Sequence, residues 1–293
     1  MKRERPHGLF SFFRASAMLE SHVKGRLRIM KYIFLDIDGT LFSPELGGIP
    51  ESTKTALKQA RENGSKIFLC TGRCLAGCNQ YLSMDVDGFV FGAGSMVYAD
   101  KKRIYDHPLT KEEEQLIKDL IHESGMGYVA EGQAGGYCDE FGYEVLNRYF
   151  GDRIADNCFY PEIYEHPEEK IYKVCSYVRH GGSFEEIRSR LPEKFTITVT
   201  VRDPKFDDCA EVTNARITKA TGIQRILDYY GADRSQAVGI GDSENDIPMI
   251  EYCGTGIAMG NAMPQVKEIA DWVTTPILED GILNAFRHVG VID

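Results

Sequence analysis

No segment of this sequence is long and apolar enough to span a bilayer as a helix, which takes about 20 consecutive nonpolar residues. A membrane is therefore not expected as a partner. The body of the chain also lacks any Lys/Arg-rich stretch, and its net charge is −10. Proteins that grip a phosphate backbone normally present a basic face, so nucleic acid is not expected as a primary partner. Paired cysteine spacings are missing as well, the eight cysteines being scattered. The nearest to a pattern is Cys70, Cys74 and Cys78, spaced by four, with no histidine near enough to complete a ligand set. Reduced thiols and a cytoplasmic location are the expectation. What remains is ordinary for a globular protein: 293 residues, 43% hydrophobic and 27% charged, enough for one large or two medium domains.

The first 29 residues differ from the rest. Lys2, Arg3, Arg5, Arg14, Lys24, Arg26 and Arg28 outnumber Glu4 and Glu20, and the apolar patch from Leu9 to Phe13 is short. A small-residue cleavage site of the secretory type is poorly matched. Residues 1–29 read as an extension the fold does not need, with a packing or dimer-contact helix as the alternative.

Chemistry begins at Tyr32-Ile33-Phe34-Leu35-Asp36-Ile37-Asp38-Gly39-Thr40. An apolar run ending in two carboxylates predicts a strand buried on both faces, with Asp36 and Asp38 at its carboxyl end. Open α/β sheets place their ligands there. Such carboxylates can hold Mg²⁺, attack an electrophile or shuttle a proton. Alone, the run would equally suit a strand followed by a turn. Two further segments repeat the architecture: Ile67-Phe68-Leu69-Cys70-Thr71-Gly72-Arg73, and Ala237 to Ile240 followed by Gly241-Asp242-Ser243-Glu244-Asn245-Asp246. Lys219 lies between them.

Taken in order, Asp-x-Asp-Gly-Thr, Thr-Gly-Arg, a lone Lys and Gly-Asp-x-x-Asn-Asp resemble the four motifs of the haloacid dehalogenase superfamily. The forms Thr-Gly-Arg and Gly-Asp-Ser-Glu-Asn-Asp-Ile-Pro-Met are similar to those of its Cof-type Mg²⁺-dependent phosphatases. The resemblance runs from about Met30 to the C-terminus. It implies Asp36 as the nucleophile that becomes an aspartyl-phosphate, and Asp38 as the acid that protonates the leaving group and then activates water. It implies Mg²⁺ held by Asp36, by the backbone carbonyl of Asp38 and by Asp242. Asp246 would support the cluster, as a ligand through water or as an orienter of Lys219. Thr71, the amide of Gly72, Lys219 and Asn245 would bind the phosphate oxygens, while Arg73 would either reach substrate or pair with an acidic residue. The implied substrate is a small phosphorylated metabolite, with a sugar phosphate foremost. A phosphomutase and a non-catalytic binding protein are the alternatives.

Two departures from the pattern stand out. Ala220 follows the motif lysine where Gly is usual, and Ala93-Gly94-Ser95 replaces an Asn-Gly-Ala segment. The missing Asn could alter the cap hinge or the mouth of the site.

The alternation of strands and helices predicts an α/β fold: a three-layer, Rossmann-like, doubly wound parallel sheet with an inserted α+β cap. Core residues are expected at 30–84 and 209–293, and the cap at 85–208. Within the cap, strands are expected at Ile171–Val178 and Phe195–Val201 and helices at Lys111–Glu123, 143–150 and 184–191. Glu131, Tyr137, Asp139 and Tyr143 are the candidate readers of sugar hydroxyls in the cap, against the favoured alternative that they are exposed loop and helix residues.

Overall fold

Tyr32, Ile33, Phe34 and Leu35 are all buried, Ile33 and Leu35 towards one helical layer and Tyr32 and Phe34 towards the other. A strand covered on both faces sits inside a parallel sheet, and this one does. The computed structural model describes residues 20–23, 26–151, 159–161, 168–179, 182–201 and 207–293. Most of the extension expected at 1–29 lies outside them. Within it, only a short antiparallel ribbon is described, β1 (Glu20–Val23) with β2 (Arg26–Ile29).

The core sheet has eight strands. In chain order they are β3 (Tyr32–Leu35), β4 (Lys66–Cys70), β5 (Gly88–Phe91), β6 (Met96–Ala99), β7 (Lys102–Asp106), β14 (Ala237–Gly241), β15 (Thr255–Ala258) and β16 (Trp272–Val273). Their spatial order is β16-β15-β14-β3-β4-β5-β6-β7. The first six in that order run parallel, and β6 and β7 close the edge as an antiparallel meander. Helices α1 (Glu51–Glu62), α7 (Pro264–Ile269) and α8 (Gly281–His288) pack with Ile33, Leu35, Ile67 and Leu69. On the other face α5 (Lys219–Tyr230) and α6 (Ile247–Tyr252) pack with Phe34, Phe68 and Val90. The stacked rings of Phe34 and Phe68, 5.0 Å apart, anchor that side. Pro50 is the N-cap of α1, and Ser52 lies in its first turn.

The smaller sheet comprises β8 (Gly127–Gly132), β9 (Gly136–Cys138), β10 (Phe159–Pro161), β11 (Ile171–Val178), β12 (Phe195–Val201) and β13 (Asp208–Asn214), ordered β10-β9-β8-β11-β13-β12. It is antiparallel except where β10 runs parallel to β9. Helices α2 (Lys111–Glu123) and α4 (Glu185–Arg190) contribute Ile117, Ile121 and Ile187 to the core on one face. Helix α3 (Glu140–Phe150) contributes Leu146 to the other. It begins three residues earlier than expected because Asp139 caps it, accepting from Gly142 N at 2.7 Å.

Sheet membership corrects both expected domain boundaries. Strands β5 to β7 pair with the core sheet, so residues 88–106 belong there rather than to the cap. Strand β13 pairs with β11 and β12, so residues 208–214 belong to the cap sheet. Half-exposed strands read alike in either sheet, and only pairing assigns them.

Between β5 and β6 the chain turns through Ala93, whose φ of 53° and ψ of 27° are left-handed. The turn is held by Ala93 N donating to Thr71 O and Gly92 N to Arg73 O. The segment therefore keeps a conformation that suits Asn, at a cost to an L-residue without a polar side chain. Ala93→Asn and Ala93→Gly should each stabilise the protein by about 0.5–1 kcal/mol. Urea midpoints for the two variants check this, and a loss of stability in both would refute it.

Candidate active site

Asp36 follows directly on β3 and is 4% exposed. Its amide donates to Ile240 O at 3.0 Å, which ties it to β14. Lys219 is the first residue of α5, behind a capping box in which Thr218 and Thr221 satisfy each other's amides. Its side chain is fully buried and its ammonium lies 2.6 Å from Asp36 Oδ1 and 2.5 Å from Asp246 Oδ1. Burial works against that charge, but Asp246 and then Asp36 hold the ammonium protonated well above its usual range. Asp36 is itself pushed upward by burial and by the charge of Asp246, against the attraction of Lys219.

Asp246 has both oxygens engaged. Oδ1 accepts from Lys219, and Oδ2 accepts from the amides of Asp242 and Ser243 at 2.9 and 3.0 Å. It shapes the loop after β14 and orients the lysine. Asp242 is half-buried and accepts from Thr40 Oγ1 at 2.7 Å. Gly39 has a φ of +82°, and a Cβ there would stand 2.3 Å from Asp242 Oδ2, so only glycine lets the two loops touch. Burial pushes Asp242 up to about 7, against the lowering effect of the Thr40 hydrogen bond, and the charge of Asp246 adds to the rise.

Carboxylate oxygens of Asp36, Asp242 and Asp246 can lie within 4.8 Å of one another. Hard oxygen donors packed this closely, one of them resisting ionisation, suit a small divalent cation such as Mg²⁺. Asp246 accepts donors on both oxygens, whereas Asp36 and Asp242 each accept on Oδ1, which makes these two the better-placed side chains to bind it.

Asp38 faces the opposite wall. Arg73 Nε donates to its Oδ2 at 2.7 Å and Arg73 Nη2 to its Oδ1 at 2.6 Å, a two-pronged ion pair. A third arm, Nη1, donates to Gly77 O at 3.0 Å. Of the two expectations for Arg73, this geometry is that of pairing with an acidic residue. Thr71 is buried and its hydroxyl accepts from Arg73 N at 3.1 Å. Gly72 lies against Asn245, whose Nδ2 would be 3.0 Å from a Cβ at that position.

These residues line a cleft of about 670 Å³ between the core and the cap sheet. Asp36, Asp38, Thr71, Gly72, Arg73 and Asn245 form its floor, and Glu131, Lys173, Thr198, Thr200 and Glu211 its roof. Among the cap residues expected to read sugar, only Glu131 lines it. Asp139 is spent on capping α3 and on the Tyr128 amide. Tyr137 is buried in the cap core beside Tyr160, and Tyr143 packs with Val129 and Leu146. Aromatics and acids on a helical segment looked available, but packing and capping absorb them. Sequence reasoning missed Lys173 and Glu211. The legible signal was a lysine inside the otherwise apolar strand Ile171–Val178, where an unpaired charge would not be tolerated. Cys70, Cys74 and Cys78 are buried thiols outside any disulfide.

A carboxyl whose pKa is higher folded than unfolded binds its proton more tightly in the native state. For Asp242 the resulting stability is present below about pH 4 and is lost as the pH rises through about 7. Asp242→Asn should therefore melt about 2–6 °C above the wild type at pH 8 without divalent metal, and the gap should close towards pH 4. Thermal melts across that range test it, and a gap independent of pH would sink the argument.

Comparison with known proteins agrees with this geometry. The family description haloacid dehalogenase-like hydrolase matches residues 33–286. YkrA of Bacillus subtilis (strain 168) is 30% identical over 278 residues, covering 89% of this chain and 98% of that protein. The 5-amino-6-(5-phospho-D-ribitylamino)uracil phosphatase YcsE of the same organism is 27% identical over 262 residues, covering 88% and 95%. Among solved structures, the subclass IIB sugar phosphatase BT4131 superposes with a TM-score of 0.76 at 30% identity, covering 90% of this chain and all of that one. The chain belongs to the haloacid dehalogenase-like hydrolases and is a phosphatase of their Cof-type branch.

Proposed function

We propose that the protein is a Mg²⁺-dependent phosphatase that hydrolyses a small phosphorylated metabolite, a sugar phosphate by class, through an aspartyl-phosphate at Asp36. The observation that carries this reading is the buried Asp36–Lys219–Asp246 set, from which Asp36 reaches the floor of a cleft beside Asp38 and Thr71. The relative named for a phosphoribityl substrate and the neighbour named a sugar phosphatase support the substrate class.

In this reading a carboxylate oxygen of Asp36 attacks phosphorus. The bond from phosphorus to the ester oxygen breaks, and that oxygen leaves with its electron pair and takes a proton from Asp38. Asp38 then removes a proton from water, the water oxygen attacks the same phosphorus, and Asp36 is released with inorganic phosphate. Lys219, Thr71, the Gly72 amide and Asn245 hold the oxygens that do not leave. Held by Asp36, Asp242 and the Asp38 carbonyl, Mg²⁺ would neutralise charge between carboxylate and phosphate. Arg73 donates to both oxygens of Asp38, so proton delivery from Asp38 requires that grip to loosen.

The test is steady-state phosphate release from a panel of phosphate esters. Turnover should require Mg²⁺, disappear with EDTA, and fall at least about 10³-fold in Asp36→Asn. Isomerised sugar phosphate without net phosphate release would overturn hydrolysis in favour of a mutase. Turnover by Asp36→Asn at the wild-type rate would overturn the nucleophile.

A further inference from the structure

The roof of the cleft carries a polar row that the reaction above does not use. Glu131 on β8 lies opposite Lys173 on β11, and Thr198 on β12 lies opposite Glu211 on β13. Cys175 pairs with Glu211 across β11 and β13, so Lys173, two residues before Cys175, shares that face. The row thus crosses four adjacent strands on one surface of the cap sheet. Lys173 is buried, with its ammonium 2.6 Å from Glu211 Oε1 and 3.3 Å from Glu131 Oε2. Cys175 Sγ donates to Glu131 Oε1 at 3.2 Å, which fixes that carboxylate from a second side. Glu211 Oε2 reaches towards the phosphate loop, 3.8 Å from where a Cβ on Gly72 would be.

From this arrangement we infer that Lys173, Glu211 and Thr198 are the residues that select the leaving group, taking a neutral polyhydroxyl group and rejecting one that carries a second anion. The inference rests on the phosphatase reading and adds its specificity element. Glu211 lies beside Gly72 of the phosphate loop, so the group it meets is the part of the ester nearest the transferring phosphate. A sugar hydroxyl can donate to Glu211 Oε2 while a neighbouring hydroxyl accepts from Lys173 or Thr198. Such a diol uses all three protein groups and leaves none unpaired, which is the condition for strong discrimination. An anionic leaving group fares differently. Lys173 is already shared by two carboxylates, so the set carries a net charge of −1, and a carboxylate or second phosphate would meet repulsion instead of an ion pair. A buried lysine held this way is a fixed hydrogen-bond donor and not an anion hook.

The experiment compares three Mg²⁺-dependent activities in the full-length protein and in Glu211→Gln. The substrates are p-nitrophenyl phosphate, whose leaving group carries no sugar hydroxyls, a series of phosphates of uncharged polyols and sugars (glycerol 3-phosphate, erythrose 4-phosphate, ribose 5-phosphate, glucose 6-phosphate), and 2-phosphoglycolate. In the wild type, the best sugar phosphate should exceed 2-phosphoglycolate in kcat/KM by more than about 10-fold. In Glu211→Gln the ratio of kcat/KM for that sugar phosphate to p-nitrophenyl phosphate should drop about 10- to 100-fold, chiefly through KM. The relative rate on 2-phosphoglycolate should rise. Thr198→Val, which alters the row without touching the ion pair, should lower the same ratio in the same direction and keeps the test intact if Glu211→Gln unfolds. Equal loss on the sugar phosphate and on p-nitrophenyl phosphate in both variants, or a wild type that prefers 2-phosphoglycolate, would overturn the inference. Absence of Mg²⁺-dependent turnover of p-nitrophenyl phosphate would overturn the phosphatase reading beneath it.

Discussion

The protein is organised around one buried charge. Lys219 has no exposed surface, and an ammonium removed from water is tolerated only where opposite charges meet it at short range. Asp36 and Asp246 do so, one from the end of β3 and the other from the loop after β14, while the lysine comes from the start of α5. Removing the lysine would leave both buried carboxylates unmatched, a loss of the kind that costs about 3–5 kcal/mol. Three distant segments of sequence are thereby locked into one geometry. The same atoms shape the neighbouring loop, since the second oxygen of Asp246 holds the amides of Asp242 and Ser243.

This solution is not electrically neutral. Two carboxylates share one ammonium, and Asp242 adds a third acid close by, whose ionisation is opposed first by burial and then by the charge of Asp246. The divalent cation proposed for this cluster would offset that excess of negative charge. Stability and function oppose each other here in the familiar way, because the unfavourable carboxylate is the useful one. Asp38 is arranged differently. Its charge is met at the surface of the cleft by Arg73, a contact that can be exchanged without disturbing the core. In the proposed reading the nucleophile, Asp36, is buried, whereas the acid, Asp38, is half-buried and held by Arg73.

The cap sheet repeats the principle with other residues. Lys173 is buried between Glu211 and Glu131, so the roof of the cleft is also built on one lysine and two carboxylates. In the proposed reading the floor triplet positions a phosphate, while the roof triplet meets the group attached to it. Its carboxylates sit on strands rather than loops, which fixes their spacing by sheet register.

By itself the sequence determined the parallel core, because strands such as Tyr32–Leu35 that are apolar on both faces have no other stable setting. It also determined the motif residues, since Asp36, Asp38, Thr71, Lys219 and Asp242 each follow or precede an element that local patterning makes legible. Sequence could not decide to which sheet β5–β7 and β13 belong, because alternating strands carry no mark of their partners. Nor could it tell that Asp139 and Tyr137 are consumed by capping and packing while Lys173 and Glu211 face the cleft. Motif residues are specified by their neighbours along the chain. The roof of the cleft is specified by register between strands far apart in sequence, and only the folded sheet brings that register into being.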